Sequence, residues 1–138
     1  MIDMDGRLAH RMLLALAAVV LEFGCGSRGR DAKAMAAVKR ELALLTPPAG
    51  IAPADQNVGL GEMYAEGTQT YCVGDEKAGQ AALDSMLRKA GWEPTSTSTT
   101  ADATIWRYTK DQHLGSLVLE NQKQPCGRRF RVEVAEPL

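Results

Sequence analysis

The chain has 138 residues, 16 basic and 17 acidic, for a formal net charge of −1, and 45% of it is apolar. That length suits one domain built on one small hydrophobic core. Two of the basic and three of the acidic residues precede Cys25, which leaves 14 of each from there on, and a neutral domain has no electrostatic footprint for nucleic acid.

At the start, Arg7, His10 and Arg11 precede Met12–Leu21, a run of ten apolar residues. Such a run matches the apolar region of a secretory signal and falls well short of the roughly 20 residues that cross a bilayer. Glu22 interrupts it, and a carboxylate in hydrocarbon costs about 2.5–3.5 kcal/mol, so a permanent membrane span is not expected. Leu13 to Leu21 is apolar on every helical face, unlike an amphipathic core helix. Gly24-Cys25-Gly26-Ser27 follows directly. This start resembles the signal of bacterial lipoproteins: Gly24 stands immediately before the cysteine, and Gly26-Ser27 is similar to the polar start of a mature lipoprotein. Glu22 stands where that family has an aliphatic residue, and Phe23 where it has a small one. The resemblance implies a signal peptide over 1–24, a lipid on Cys25 and attachment to the outer side of the cell membrane. Residues 25–30 then read as a tether and 31–138 as a single domain.

Asp31 is expected to cap a helix from about Ala32 to Leu45, with Met35, Val38, Leu42 and Leu45 on one face. Lys33, Lys39, Arg40 and Glu41 lie largely off that stripe, and Thr46-Pro47-Pro48 ends the helix. Pro47 to Gly61, with three prolines and three glycines, reads as a loop. A strand is expected over about Met63–Val73, with Gly67 as a bulge or point of close approach. Asp75 is the expected N-cap of a second helix with Glu76 in its first turn. Ala78, Ala82, Leu83, Met86, Leu87 and Ala90 form its apolar face, and Gly91-Trp92 its C-terminal stop. Strands follow over Pro94–Thr100, Thr104–Lys110 and Leu114–Glu120, with a turn at Asp111-Gln112-His113. In the last, Arg129–Val134, Phe130, Val132 and Val134 alternate with Arg129, Arg131 and Glu133.

This order predicts an α+β fold: two layers, with two helices on one face of a mostly antiparallel sheet of four to five strands. With Cys25 lipidated, Cys72 and Cys126 remain as an even pair in an oxidising compartment. They meet if the first and last strands are neighbours, and a bridge over about 55 residues is worth roughly 4 kcal/mol. The segments Leu45-Thr-Pro-Pro-Ala-Gly50 and Ala90-Gly91-Trp92, with the helix from Asp75 between them, resemble small secreted lipoproteins of high-GC Gram-positive bacteria. That resemblance implies address and fold and no activity.

Catalytic constellations are not evident. His113 is the one histidine after Cys25 and falls in a polar turn, and neither G-x-S-x-G, H-E-x-x-H nor C-x-x-C occurs. Cys72, Cys126 and His113 have ligand chemistry for zinc but no zinc spacing. Glu62 with Glu66, placed on one strand face about 13 Å apart, and Asp75 with Glu76 read as solvated and capping carboxylates. Lys123, Arg128, Arg129 and Arg131 form a basic cluster, read as a charged edge that meets anionic headgroups or an acidic partner, or merely protects an edge strand. The expectation is a lipid-anchored envelope protein with a non-catalytic binding or accessory role, no cofactor and no metal. Its partners would be the membrane and an envelope protein or small ligand. The alternative is a secreted, soluble ligand-binding domain without the lipid.

Overall fold

Arg129–Val134, the most regular alternation in the sequence, lies at the centre of the sheet. The computed structural model describes residues 26–122 and 124–138; the expected leader, Cys25 and Lys123 lie outside the described residues. The elements are α1 (Gly26–Ala43), β1 (Ala52–Leu60), β2 (Tyr64–Val73), α2 (Glu76–Lys89), β3 (Glu93–Thr99), β4 (Ala103–Lys110), β5 (His113–Glu120) and β6 (Arg128–Pro137). All strand pairs are antiparallel, in one six-stranded sheet of order β1-β2-β6-β5-β4-β3. The class is α+β as expected, with more strands than the four to five predicted.

The added strand is β1, in the segment read as a loop. Its sequence, Ala-Pro-Ala-Asp-Gln-Asn-Val-Gly-Leu, has no alternation, because nearly all of it is exposed at the sheet's edge. Backbone pairing to β2 makes the strand, with a register shift between Pro53 and Gln56 where the Asp55 N–H donates to Thr70 Oγ1 at 2.9 Å. A second difference concerns α1. Gly26–Arg30, read as a tether, is already helical, so Asp31 sits inside the helix and not at its cap.

Register places the apolar side chains on one face. Tyr71 of β2 stands opposite Phe130 of β6, which stands opposite Leu119 of β5. One step along, Gln69, Val132, Leu117 and Trp106 form the next row across β2, β6, β5 and β4. Both helices lie on this face. Ala34, Val38 and Leu42 of α1 are buried, and a Cβ at Gly67 would sit 2.8 Å from Leu42 Cδ1 and closer still to Val38. Gly67 is therefore the point of close approach its isolation in a strand predicted. In α2, Leu83, Met86 and Leu87 are buried, and Gly79 lies against Val73.

The stops of α2 are those the sequence announces. Asp75 is extended at φ −109°, ψ 123°, and its Oδ2 accepts from the Ala78 N–H at 3.2 Å. At the other end Gly91 has φ +96°, the Gly91 N–H donates to Arg88 O and the Trp92 N–H to Leu87 O, both at 3.0 Å. That is the Schellman pattern, which a left-handed glycine permits. It turns Trp92 into the core, where it is 2% exposed and covers Gly115, which it would strike at 2.8 Å were a Cβ there. Burial pushes the Tyr71 phenol up to about 12 from its ordinary 10.0. Burial also raises Tyr108, helped by the 2.6 Å bond its hydroxyl donates to Asp84 Oδ1.

Cys72 and Cys126 are joined by a disulfide, with Cα atoms 5.8 Å apart and a sequence separation of 54. The condition for it is met, because β2 and β6 are neighbours over ten register pairs and Cys72 faces Arg129, three residues beyond Cys126. Reduction is expected to lower stability by about 4 kcal/mol, from the freed entropy of the closed loop. Denaturant melts with and without reductant measure it. Gly67→Ala is expected to cost about 1–3 kcal/mol through overpacking against Val38 and Leu42. Gly59→Ala, where nothing lies within 4 Å, should stay within about 0.5 kcal/mol of the parent; equal losses in the two would contradict the packing account.

Candidate functional site

Beside α1, over the ends of β5 and β6, is a cleft of ≈ 370 Å³ lined by Arg30, Lys33, Ala34, Ala37, Arg40, Glu41, His113, Glu136, Pro137 and Leu138. Its wall follows from helical geometry. At about 100° per residue, positions 30, 33, 37 and 40 fall within roughly 80° of arc, a stripe alongside the buried one of Ala34, Val38 and Leu42. That stripe carries three cations, and two alanines, Ala34 and Ala37, leave the space between helix and sheet open.

The floor is ionic. Glu41 reaches from α1 to the sheet, where the Lys110 ammonium donates to its Oε2 at 2.8 Å. His113 Nδ1 is in contact with Glu136 Oε2, and its Nε2 lies 3.9 Å from Glu41 Oε1. Register explains the meeting: Lys110 and His113 are paired across the turn that joins β4 to β5, and both point to the helix side. Asp111 makes that turn with φ 53°, a left-handed conformation that aspartate tolerates better than most residues. These side chains are largely shielded, 10% exposed for Glu41, 18% for His113 and 20% for Lys110, so their pairs are less screened than surface ones. Three lining cations and Lys110 share the cleft with the carboxylates of Glu41 and Glu136.

The expected site residues fare unevenly. His113 is not a solvated turn residue: it opens β5, faces α1 and is held between two carboxylates. Of the expected basic cluster, Arg128, Arg129 and Arg131 do not form a charged edge either. β6 is flanked by β2 and β5, and alternation sends Arg128 to one face and Arg129 and Arg131 to the other. Arg128 pairs with Glu76 at 3.1 Å, and Arg131 donates to Glu120 at 2.8 Å and to Glu133 at 2.6 Å. Charges on a central strand need neighbours of opposite sign to remain beside the ladder, and here they have them. Glu62 lies in the turn before β2 and Glu66 within it, so they share no strand face, whereas Asp75 and Glu76 do cap α2. Cys72 and Cys126 form the disulfide and do not approach His113 as zinc ligands would. Among the described residues no group of three His, Cys, Asp or Glu side chains is arranged to hold a metal ion.

Sequence reading missed Arg30, Lys33 and Arg40 as a group, together with Glu41, Lys110 and Glu136. The helical stripe was visible in the spacing Arg30, Lys33, Ala37, Arg40; the long-range ion pairs were not. Chemically, the His113–Glu136 pair has the composition of an acid–base couple, but among the described residues no hydroxyl or thiol side chain lines the cleft to act as nucleophile. No protein-family profile, curated protein sequence or solved structure matches the chain.

Lys110→Met strips Glu41 of its 2.8 Å partner in a largely shielded place. It is expected to cost about 1–3 kcal/mol in denaturant melts. Adding Glu41→Gln to it should recover part of that loss, and additive losses in the double-mutant cycle would show that the two groups are not coupled.

Proposed function

We propose that this chain is an exported, lipid-anchored protein of the cell envelope whose domain binds a ligand or partner and catalyses nothing. The observation that carries the reading is the Cys72–Cys126 disulfide. Structural disulfides persist in oxidising compartments and are rare where thiols are kept reduced. With those two cysteines engaged, Cys25 is left over, directly behind an apolar run of signal-peptide length. The resemblance of Gly24-Cys25-Gly26-Ser27 to a lipoprotein signal gives that cysteine a role as the lipid acceptor. A binding role is supported by the cleft beside α1, whose lining among the described residues offers charge and space and no nucleophile.

Fractionation of expressing cells tests the anchor. The parent chain is expected with membranes, and Cys25→Ser in the soluble extracytoplasmic fraction; unchanged membrane association of the variant would sink the claim. Intact mass with and without reductant completes the test. Acyl chains on an N-terminal Cys25 and a two-proton mass change on reduction are expected. A lipid-free, processed N-terminus would transfer the reading to a secreted soluble binding domain, which the departures at Glu22 and Phe23 favour.

A further inference from the structure

The cleft beside α1 has a charge pattern that a merely solvated helix face does not need. Its two carboxylates are each engaged by a base of the sheet, Glu41 by Lys110 and Glu136 by His113. The acidic groups are thereby held within the floor, and the charges along the wall are cationic. Arg30, Lys33 and Arg40 stand along one stripe, spread over about 15 Å of helix axis at about 1.5 Å per residue. Guanidinium groups present a planar fork that matches phosphate oxygens two at a time, and an ammonium adds a point charge. At the far wall Pro137 and the 40% exposed Leu138 offer an apolar shelf. A cavity of ≈ 370 Å³ is the size of a small metabolite or a headgroup, not of a folded partner.

We propose that this cleft is a binding site for a phosphate ester, its phosphate held by Arg30, Lys33 and Arg40 and its carbon arm laid on Pro137 and Leu138. The proposal rests on the binding reading above and is independent of the lipid anchor. The ester is a free glycerol phosphate or the headgroup of an anionic phospholipid, which share this chemistry.

Two probes measure it on the full chain carrying Cys25→Ser, so that no acyl chain adds to vesicle binding: glycerol 3-phosphate by calorimetry, and vesicles of phosphatidylcholine with or without phosphatidylglycerol by co-sedimentation. Binding of at least one phosphate probe is expected, weakened about tenfold by each of Arg30→Gln, Lys33→Gln and Arg40→Gln, the usual scale for losing a charge-assisted contact. Lys39→Gln, on the same helix but outside the cleft, should change it less than about twofold. Ala37→Leu alters no charge and fills the cavity, so it should abolish binding while thermal melting shows the fold intact. Binding of glycerol 3-phosphate with this variant pattern identifies a free ester; binding to phosphatidylglycerol vesicles alone, with the same pattern, identifies the headgroup. The proposal is overturned if neither probe binds, if Lys39→Gln weakens binding as much as Arg40→Gln, if Ala37→Leu leaves it unchanged, or if butyrate binds as tightly as the phosphate ester. None of these results bears on whether Cys25 carries a lipid, so the two claims fail separately.

Discussion

The ladder between β2 and β6 joins two parts of the chain that would otherwise have separate sheets. On one side α1, β1 and β2 come as a unit; on the other, β3 to β6 form an antiparallel meander of sequential neighbours. The two meet along ten register pairs, from Tyr64 opposite Pro137 to Val73 opposite Arg128. Those contacts are among the most distant in sequence that the fold makes, and their formation bears the cost of closing a long loop. The disulfide, at the Val73–Arg128 end of the ladder, removes much of that cost from the unfolded side of the balance. The cleft depends on the same join, because its wall belongs to the first unit and its floor to the second. Were the ladder to part, Glu41 would leave with α1, and Lys110, His113 and Glu136 would stay with the meander.

Close approach of the helices is the second constraint, and glycine meets it. Gly67, Gly79 and Gly115 are places where a side chain would collide with Val38 and Leu42, with Val73, and with Trp92 respectively. Each removes one side chain from the packed face so that a larger one from the other layer fills the gap, which is how interiors reach crystal-like density. Trp92 is the clearest case. Gly91 lets the chain reverse after α2, the reversal delivers the indole over β5, and Gly115 leaves room for it. A local stop signal thus becomes a core contact.

Those local signals explain what was legible in the sequence. Asp75, Gly91, the spacing of Leu83, Met86 and Leu87 in α2 and the alternation of Phe130, Val132 and Val134 each report a choice made within a few residues, and each holds in the structure, whereas Ala78, expected on the same helix face, is exposed. β1 was not legible, because an exposed edge strand is made by its neighbour's hydrogen bonds and needs no apolar pattern of its own. His113 was misplaced for a related reason. Its neighbours Asp111 and Gln112 are a polar turn, but the turn closes one residue earlier, and a shift of one residue in a strand exchanges solvent for core. The basic run at Arg128–Arg131 looked continuous in sequence and is divided in space by the same rule. Lys110 and Glu41, 69 residues apart, could be paired only once the two units were joined.

Net charge was the least informative quantity, and the reason is spatial. α1 carries five basic and two acidic residues in its sequence, so it is cationic within a domain of balanced charge. On the open face of the sheet the balance is local: Arg131 lies between Glu120 and Glu133, and the field beyond that triad is small. Beside α1, Lys110 and His113 hold the two carboxylates of the floor. The cations of the wall, each exposed to solvent, then stand together along one side of a cleft whose floor is largely shielded. A chain with no overall charge preference can in this way keep one cleft with a cationic wall, beside carboxylates that the sheet has already engaged.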